Sequence, residues 1–210
     1  MDIQQSLHLL WQQIKETDFL QWTAVVLSVL EVLFAQANLV WLYPAGIAAI
    51  ILSVYILFKA GLYAECLLNG YYLMMSIYGW WYWIKKKNKP EVRITRCNRQ
   101  EWTVVTGICV GGFALLSIVL KYFTPSTVPL ADAWVSATAW AGMWLLAKRK
   151  IENWILLNVS NLFAVPLLFY KQLPLYAVLT IFLFCVAIAG YIRWYHILKK
   201  ENTADSFVTQ

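Results

Sequence analysis

The chain has 210 residues, of which 61% are hydrophobic and 13% charged, and its mean hydropathy is +0.59. Soluble domains carry about 25% charged residues, so this composition excludes a soluble globular protein and points to an all-α integral membrane protein. A formal net charge of +6 would suggest nucleic acid as a partner of a soluble chain. Here Lys and Arg sit in short connections between apolar runs, so membrane topology explains them and no nucleic-acid partner is expected.

Residues 3–16, IQQSLHLLWQQIKE, set Ile3, Leu7, Leu10, Trp11 and Ile14 on one side of a helix with glutamines opposite, the pattern of a helix lying on a lipid surface. No cleavable signal peptide is expected, because Asp2, Lys15, Glu16 and Asp18 occupy the first 18 residues without an apolar core between them. Apolar runs follow at 19–36, 39–58, 62–84, 101–123, 128–147, 153–170 and 173–197. About 20 residues of helix cross the hydrocarbon, so seven spans are predicted. With the N-terminus outside, all of the 17 basic residues except Lys15, Lys59, Lys121 and Lys171 fall on the inner side. The excess of Lys and Arg in inner loops therefore predicts an outer N-terminus and a cytoplasmic C-terminus.

The first three spans echo the last three. Trp41 and Tyr63 are spaced like Trp154 and Tyr176, Leu62-Tyr63 recurs as Leu175-Tyr176, and Gly79 and Trp83 recur as Gly190 and Trp194, at offsets of 111 to 113 residues. One span separates the triplets, so both enter the membrane in the same direction, as parallel repeats about an axis along its normal. In transporters built this way the site lies near the midplane, between the repeats. The expected division is an amphipathic helix at 1–18, a first repeat at 19–84, a basic loop and linker helix at 85–127, a second repeat at 128–198 and a tail at 199–210.

The third span carries a polar and aromatic stripe: Glu65, Asn69, Tyr72, Ser76, Gly79 and Trp83 follow one another at steps of three or four. Such a stripe must face protein or water, because lipid cannot satisfy it. On the sixth span Trp154, Asn158 and Asn161 share a face, and on the fifth Asp132, Ser136, Trp140 and Trp144 do. Amides at this depth either bond neighbouring helices, at roughly 1 kcal/mol each, or bind a polar solute. Aromatic faces either pack or stack on a flat cation. The candidate substrate-binding set is Asn69, Tyr72, Ser76, Trp80, Trp140, Trp154, Asn158 and Asn161. Glu31, deep in the first span on a face with Ala24, Ser28 and Ala35, must be paired, protonated or in contact with water. Glu65 lies near the outer mouth, and Pro44 and Pro166 are placed to bend the second and sixth spans.

An enzyme is not expected. His8 and His196 lie at opposite ends of the chain, no GxSxG, HExxH or phosphate-cradling glycine loop occurs, and Cys66, Cys97, Cys109 and Cys185 are scattered singly. Neither a metal site nor a cofactor is predicted.

The segments WLYPAG (41–46), GLYAE with YYLMMSIYGWWYW (61–83) and WLLAKRKIENW (144–154) resemble the PnuC family of vitamin-precursor transporters, and the resemblance runs from about residue 19 to 198. It implies seven helices in a three-plus-one-plus-three order like that of the SWEET sugar transporters, a homotrimer, and a bacterial inner membrane. It also implies facilitated diffusion of nicotinamide riboside, trapped afterwards by a cytosolic kinase. That solute joins a flat pyridinium cation to a hydroxyl-rich ribose, which suits aromatic faces and amides. The family amide on the third span is often Gln, whereas this chain has Asn69. Other members of the family carry thiamine, so a thiamine transporter is the alternative, and a seven-helix receptor or scaffold is the reading from a different class.

Overall fold

The structure, a computed structural model, describes residues 3–59, 61–85 and 93–208. Among them the chain forms eight α-helices and no strand: α1 (Ile3–Glu16), α2 (Phe19–Gln36), α3 (Leu42–Lys59), α4 (Tyr63–Lys85), α5 (Arg99–Phe123), α6 (Pro129–Ala147), α7 (Asn153–Tyr170) and α8 (Pro174–Val208). α2, α3, α5, α7 and α8 are long and apolar enough to cross a membrane. α4 and α6, two of the seven predicted spans, have 23 and 19 residues but are not among these five. They carry Glu65 and Asn69, and Asp132 and Ser136, together with many Tyr, Trp and Ala. The two pack against each other, and a helix shielded by protein can hold polar groups that lipid would not tolerate.

Contacts run from α2 to α3, α4, α6, α7 and α8 and back to α2, so these helices close a ring. α5 packs outside it on α6, and α1 packs on α8. On α1, Leu7 and Trp11 point outward and are exposed, while Gln13 donates to the Gln172 carbonyl at 2.9 Å and accepts from the Leu175 amide.

Helix ends are set locally. Asp18 and Asn98 begin α2 and α5 with capping boxes completed by Gln21 and Glu101. At the other ends, Asn38, Gly61, Arg149 and Gln172 adopt positive φ. Each is followed by an amide that reaches back over the last turn, at 2.9 Å in all four: Leu39 to Phe34, Leu62 to Leu57, Lys150 to Leu145 and Leu173 to Leu168. These bonds satisfy carbonyls that would otherwise end the helix unpaired. Glycine adopts this geometry freely, whereas Arg149 and Gln172 accept roughly 1–2 kcal/mol of strain in it.

The caps recur at a fixed interval. Asn38 and Arg149 are 111 residues apart, and the same interval separates Gly61 from Gln172, Tyr43 from Trp154, Gly79 from Gly190 and Trp83 from Trp194. A Cβ on Gly79 would lie 2.5 Å from the Tyr43 ring, and one on Gly190 would lie 2.8 Å from Trp154. Tyr43, not Trp41, is therefore the counterpart of Trp154. Tyr43 and Trp154 are each 1% exposed, whereas Trp41 is 67% exposed.

The largest buried cluster, with Leu42, Tyr43, Trp83, Ile94, Leu146, Ile151, Trp154 and Trp194, gathers where α2, α4 and α6 end and α3 and α7 begin. Ile94 reaches it from the connection before α5. That connection is pinned to the α6–α7 turn: Thr95 donates to the Arg149 carbonyl and accepts from the Ile151 amide, and the Cys97 amide donates to Glu152 at 3.1 Å. Burial first, and then the hydrogen bond to Glu152, push the Cys97 thiol up to about 12.

Gly79→Leu drives a side chain into Tyr43 and is expected to cost about 1–3 kcal/mol, read as a lower melting temperature in detergent. Gly107→Ala, where a Cβ meets nothing within 4 Å, leaves the melting temperature unchanged or raises it. Alkylation of Cys97 by iodoacetamide is slow at pH 8, because only the thiolate reacts. Glu152→Gln lowers the midpoint of its pH–rate profile, since the neighbouring negative charge disfavours the thiolate.

Candidate functional site

The ring interior is dry at one end. There Tyr43 meets Trp83 edge-on with ring centres 5.2 Å apart, Trp154 meets Trp194 edge-on at 5.6 Å, and Trp83 lies 6.5 Å from Trp194. The indole N–H of Trp83 donates to the Ala147 carbonyl at 3.2 Å, and that of Trp194 to the Ala35 carbonyl at 3.1 Å. The Arg149 guanidinium covers Trp83 at 4.2 Å, and its Nε donates to Asn38 Oδ1 at 2.9 Å. The adjacent turn bears Lys148 over Tyr82 at 5.0 Å and Lys150 paired with Glu101 at 2.8 Å.

The opposite end is hollow. A cavity of about 320 Å³ is lined by Gln21, Ala24 and Ser28 of α2, Ser53 of α3, Asn69 of α4 and Tyr176 of α8. A larger hollow of about 670 Å³ lies at the α5–α6 and α7–α8 turns. Its Asp132 carboxylate is paired with Lys171 at 2.6 Å and bonded to Ser126.

Between cavity and aromatic end lies a polar layer. The side-chain oxygens of Tyr43, Ser76 and Asn158 and the indole nitrogens of Trp140 and Trp154 are buried without a hydrogen-bond partner. Buried polar groups are usually paired, and each orphan calls for an explanation. These come from α3, α4, α6 and α7; on α4 Ser76 shares a face with Asn69 and Tyr72, and on α7 Asn158 shares one with Trp154. The Glu31 carboxyl group from α2 lies against Gly46 of α3.

The predicted residues distribute over these layers. Asn69 lines the cavity, while Tyr72, Ser76 and Asn158 lie in the polar layer. Trp140 stacks on Tyr71, with ring centres 4.4 Å apart and planes at 21°, and its carbonyl accepts from the Tyr71 hydroxyl at 3.0 Å. Trp80 packs on the dry cluster, and Trp154 is part of it. Asn161 is half-buried on α7, one turn from Asn158. Asn69 and Asn158 are not counterparts: the 111-residue interval relates Asn69 to Thr180 and Asn158 to Ile47. The Glu65 side chain lies outside the described residues. Pro44 stands in the first turn of α3, where no helical bond is lost, so it sets a start and not a bend. Pro166 is inside α7, exposed, and the helix continues past it to Tyr170. Tyr43, Tyr71 and Asn38 were not among the predicted residues. Tyr71 sits one position off the polar stripe of the third span, Tyr43 lies on a span for which no polar face was read, and Asn38 was assigned to a connection.

Comparison with known proteins agrees with this architecture. The sequence matches the nicotinamide mononucleotide transporter family over residues 18–196. The chain belongs to that family. Proteins named nicotinamide riboside transporter PnuC from Escherichia coli K12 and Shigella flexneri are each 22% identical to it, over 77% of this chain and 78% of theirs. A crystal structure described as the vitamin B3 transporter PnuC superposes with a TM-score of 0.69 at 23% identity, covering 95% of this chain and 94% of that one. The assignment to the PnuC family made from the sequence stands, and the chain is a multi-pass membrane transporter of that family.

Buried hydroxyls without a partner destabilise a folded protein. Tyr43→Phe and Ser76→Ala are therefore expected to raise the ligand-free melting temperature, each removing an unmet cost of about 1–3 kcal/mol. A fall in both would show that these hydroxyls are bonded in the folded protein.

Proposed function

We propose that the ring is the path of a uniporter for nicotinamide riboside, with Asn69, Tyr72, Ser76, Trp140, Asn158 and Asn161 along it and Trp80 and Trp154 at its dry end. The observation that carries this reading is the set of partnerless polar atoms of Tyr43, Ser76, Trp154 and Asn158, set among aromatic side chains of the ring helices. Amides and hydroxyls suit the ribose and the carboxamide, and aromatic faces suit the pyridinium. The family description names the mononucleotide, but a phosphate requires cationic or amide donors. The basic side chains Lys59, Lys121, Lys148, Arg149 and Lys171 stand at helix ends, which favours the unphosphorylated riboside named for the two relatives. Phosphorylation after passage, by a cytosolic kinase, would then retain the solute.

The same reading takes α2 to α8 as seven spans in a three-plus-one-plus-three order of parallel repeats, 19–84 and 128–198, joined by the loop and linker helix of 85–127. The constant 111-residue interval supports it, as do the reciprocal contacts of α2 with α8 and of α4 with α6. The basic turns favour, on this reading, a cytoplasmic location for the dry end in a bacterial inner membrane, with the N-terminus outside. α1 then lies on the lipid surface, its exposed Leu7 and Trp11 meeting lipid. A homotrimer is expected from the family resemblance.

Uptake into proteoliposomes tests this. Labelled nicotinamide riboside is expected to equilibrate saturably and to ignore an imposed pH gradient, while the mononucleotide is excluded. Flux of thiamine without riboside flux would reassign the substrate. Saturable binding with no flux of either would replace the transporter by a receptor or scaffold.

A further inference from the structure

We infer that Glu31 is the charge-selecting residue of the ring, its carboxylate forming with the Tyr72 side chain a subsite for the flat, positively charged end of an organic cation. This rests on the reading of the ring as a solute path.

Depth comes first. Ala24, Ser28, Glu31 and Ala35 follow one another on the inner face of α2, where Ala24 and Ala35 are buried. Ala24 and Ser28 line the cavity, and Asn69 lines it from α4. α2 and α4 run in the same direction, so one turn further on each brings Glu31 and Tyr72 into the next layer down. A solute that enters the cavity meets these two side chains before the aromatic end.

The second observation is the space made for the carboxylate. Gly46 of α3 faces it, and a Cβ on Gly46 would fall on the Glu31 carboxyl group. At the 111-residue interval the corresponding pair is Gly142 on α6 and Leu157 on α7, where the Leu157 side chain lies 2.9 Å from a Cβ built on Gly142. The second half therefore fills this crossing with an apolar side chain against glycine. The first half moves the glycine to the other helix and brings a carboxylate into the gap. Packing alone is met by the leucine arrangement, so it does not require Glu31.

Third, the carboxylate has no hydrogen bond or ion pair among the described residues. Its electrostatic neighbours are Tyr43 and Tyr72, themselves polar-tipped aromatics. The nearby cation, Arg149, is engaged with Asn38 and the face of Trp83. An unpaired acid at membrane depth is costly and marks a functional position. A bound cation supplies the missing countercharge, and the Tyr72 ring adds attraction through its quadrupole. An anion is repelled, and an uncharged isostere gains nothing from the carboxylate.

The test compares nicotinamide riboside with benzamide riboside, its uncharged isostere, in proteoliposomes of the wild type, Glu31→Gln and Glu31→Asp. Wild type and Glu31→Asp are expected to prefer the cation. Glu31→Gln, similar in shape, is expected to lose affinity for the cation by on the order of tenfold or more, with affinity for the isostere unchanged. Equal losses for both ligands, or no loss for either, would overturn the assignment and leave Glu31 a link between α2 and α3. If the wild type carries neither riboside, the riboside reading of the path fails separately. Thermal-shift titration with thiamine and N-methylnicotinamide cations against uncharged nicotinamide then decides for Glu31. A cation preference in the wild type that disappears in Glu31→Gln supports it, and its absence from the wild type overturns it.

Discussion

Two indole hydrogen bonds hold the ring closed. Trp83, near the end of α4, donates to the last turn of α6, and Trp194 of α8 donates to the last turn of α2. Each spans the boundary between the first three and the last three ring helices; the bond from Trp83 satisfies the Ala147 carbonyl at the end of α6, and the bond from Trp194 adds a second donor to the Ala35 carbonyl, which already accepts the Asn38 amide. A net worth of about 0.5–1.5 kcal/mol apiece understates them, because in the absence of water the alternative is a buried, unpaired group. The large rings that carry these donors also fill the space between helices. Glycines 79 and 190 are required there because Tyr43 and Trp154 occupy the volume a Cβ would need.

The reciprocity is accompanied by a gradient of polarity along the ring axis. The braced end is aromatic and fully buried, the middle carries orphaned hydroxyl, amide and indole groups, and the far end is hollow. α4 and α6 supply much of the polar content and pack on each other, joined by the stack of Tyr71 on Trp140. Their composition is the counterpart of their position: helices that are sheltered from lipid can be less apolar, and an interior that admits a polar solute needs them to be. Exact symmetry between the halves is broken at the Glu31–Gly46 crossing, where the other half has Gly142 and Leu157. A solute with one charged and one neutral end is itself asymmetric, and the Glu31 carboxylate, present at this crossing and not at the other, gives the ring a charged side.

Much of this was legible because membrane burial leaves a strong periodic trace. The runs 19–36 and 153–170 coincide with α2 and α7, and the face of Ala24, Ser28, Glu31 and Ala35 was visible from spacing alone. The internal echo was visible as well, but its register was blurred by Trp41, which mimics a counterpart of Trp154 while pointing outward. Sequence spacing does not distinguish a buried ring from an exposed one when Trp and Tyr are abundant. Pro44 was misjudged for a related reason: whether a proline bends a helix depends on which turn it occupies, and the start of α3 was set by the left-handed cap at Asn38, which no apolar pattern marks.

The sequence by itself determined the class of the protein, the approximate course of its helices and the polar residues that must avoid lipid, since each follows from hydrophobicity and the period of a helix acting along one segment. Only the tertiary structure decided which faces meet: that Tyr43 fits Gly79, that Arg149 reaches Asn38 across the whole interval, and that a glycine on α3 opens the space for a carboxylate on α2. Those choices depend on volumes and donors from helices far apart in the chain. Local periodicity shows which side of a helix turns inward, but not which neighbour it will find there.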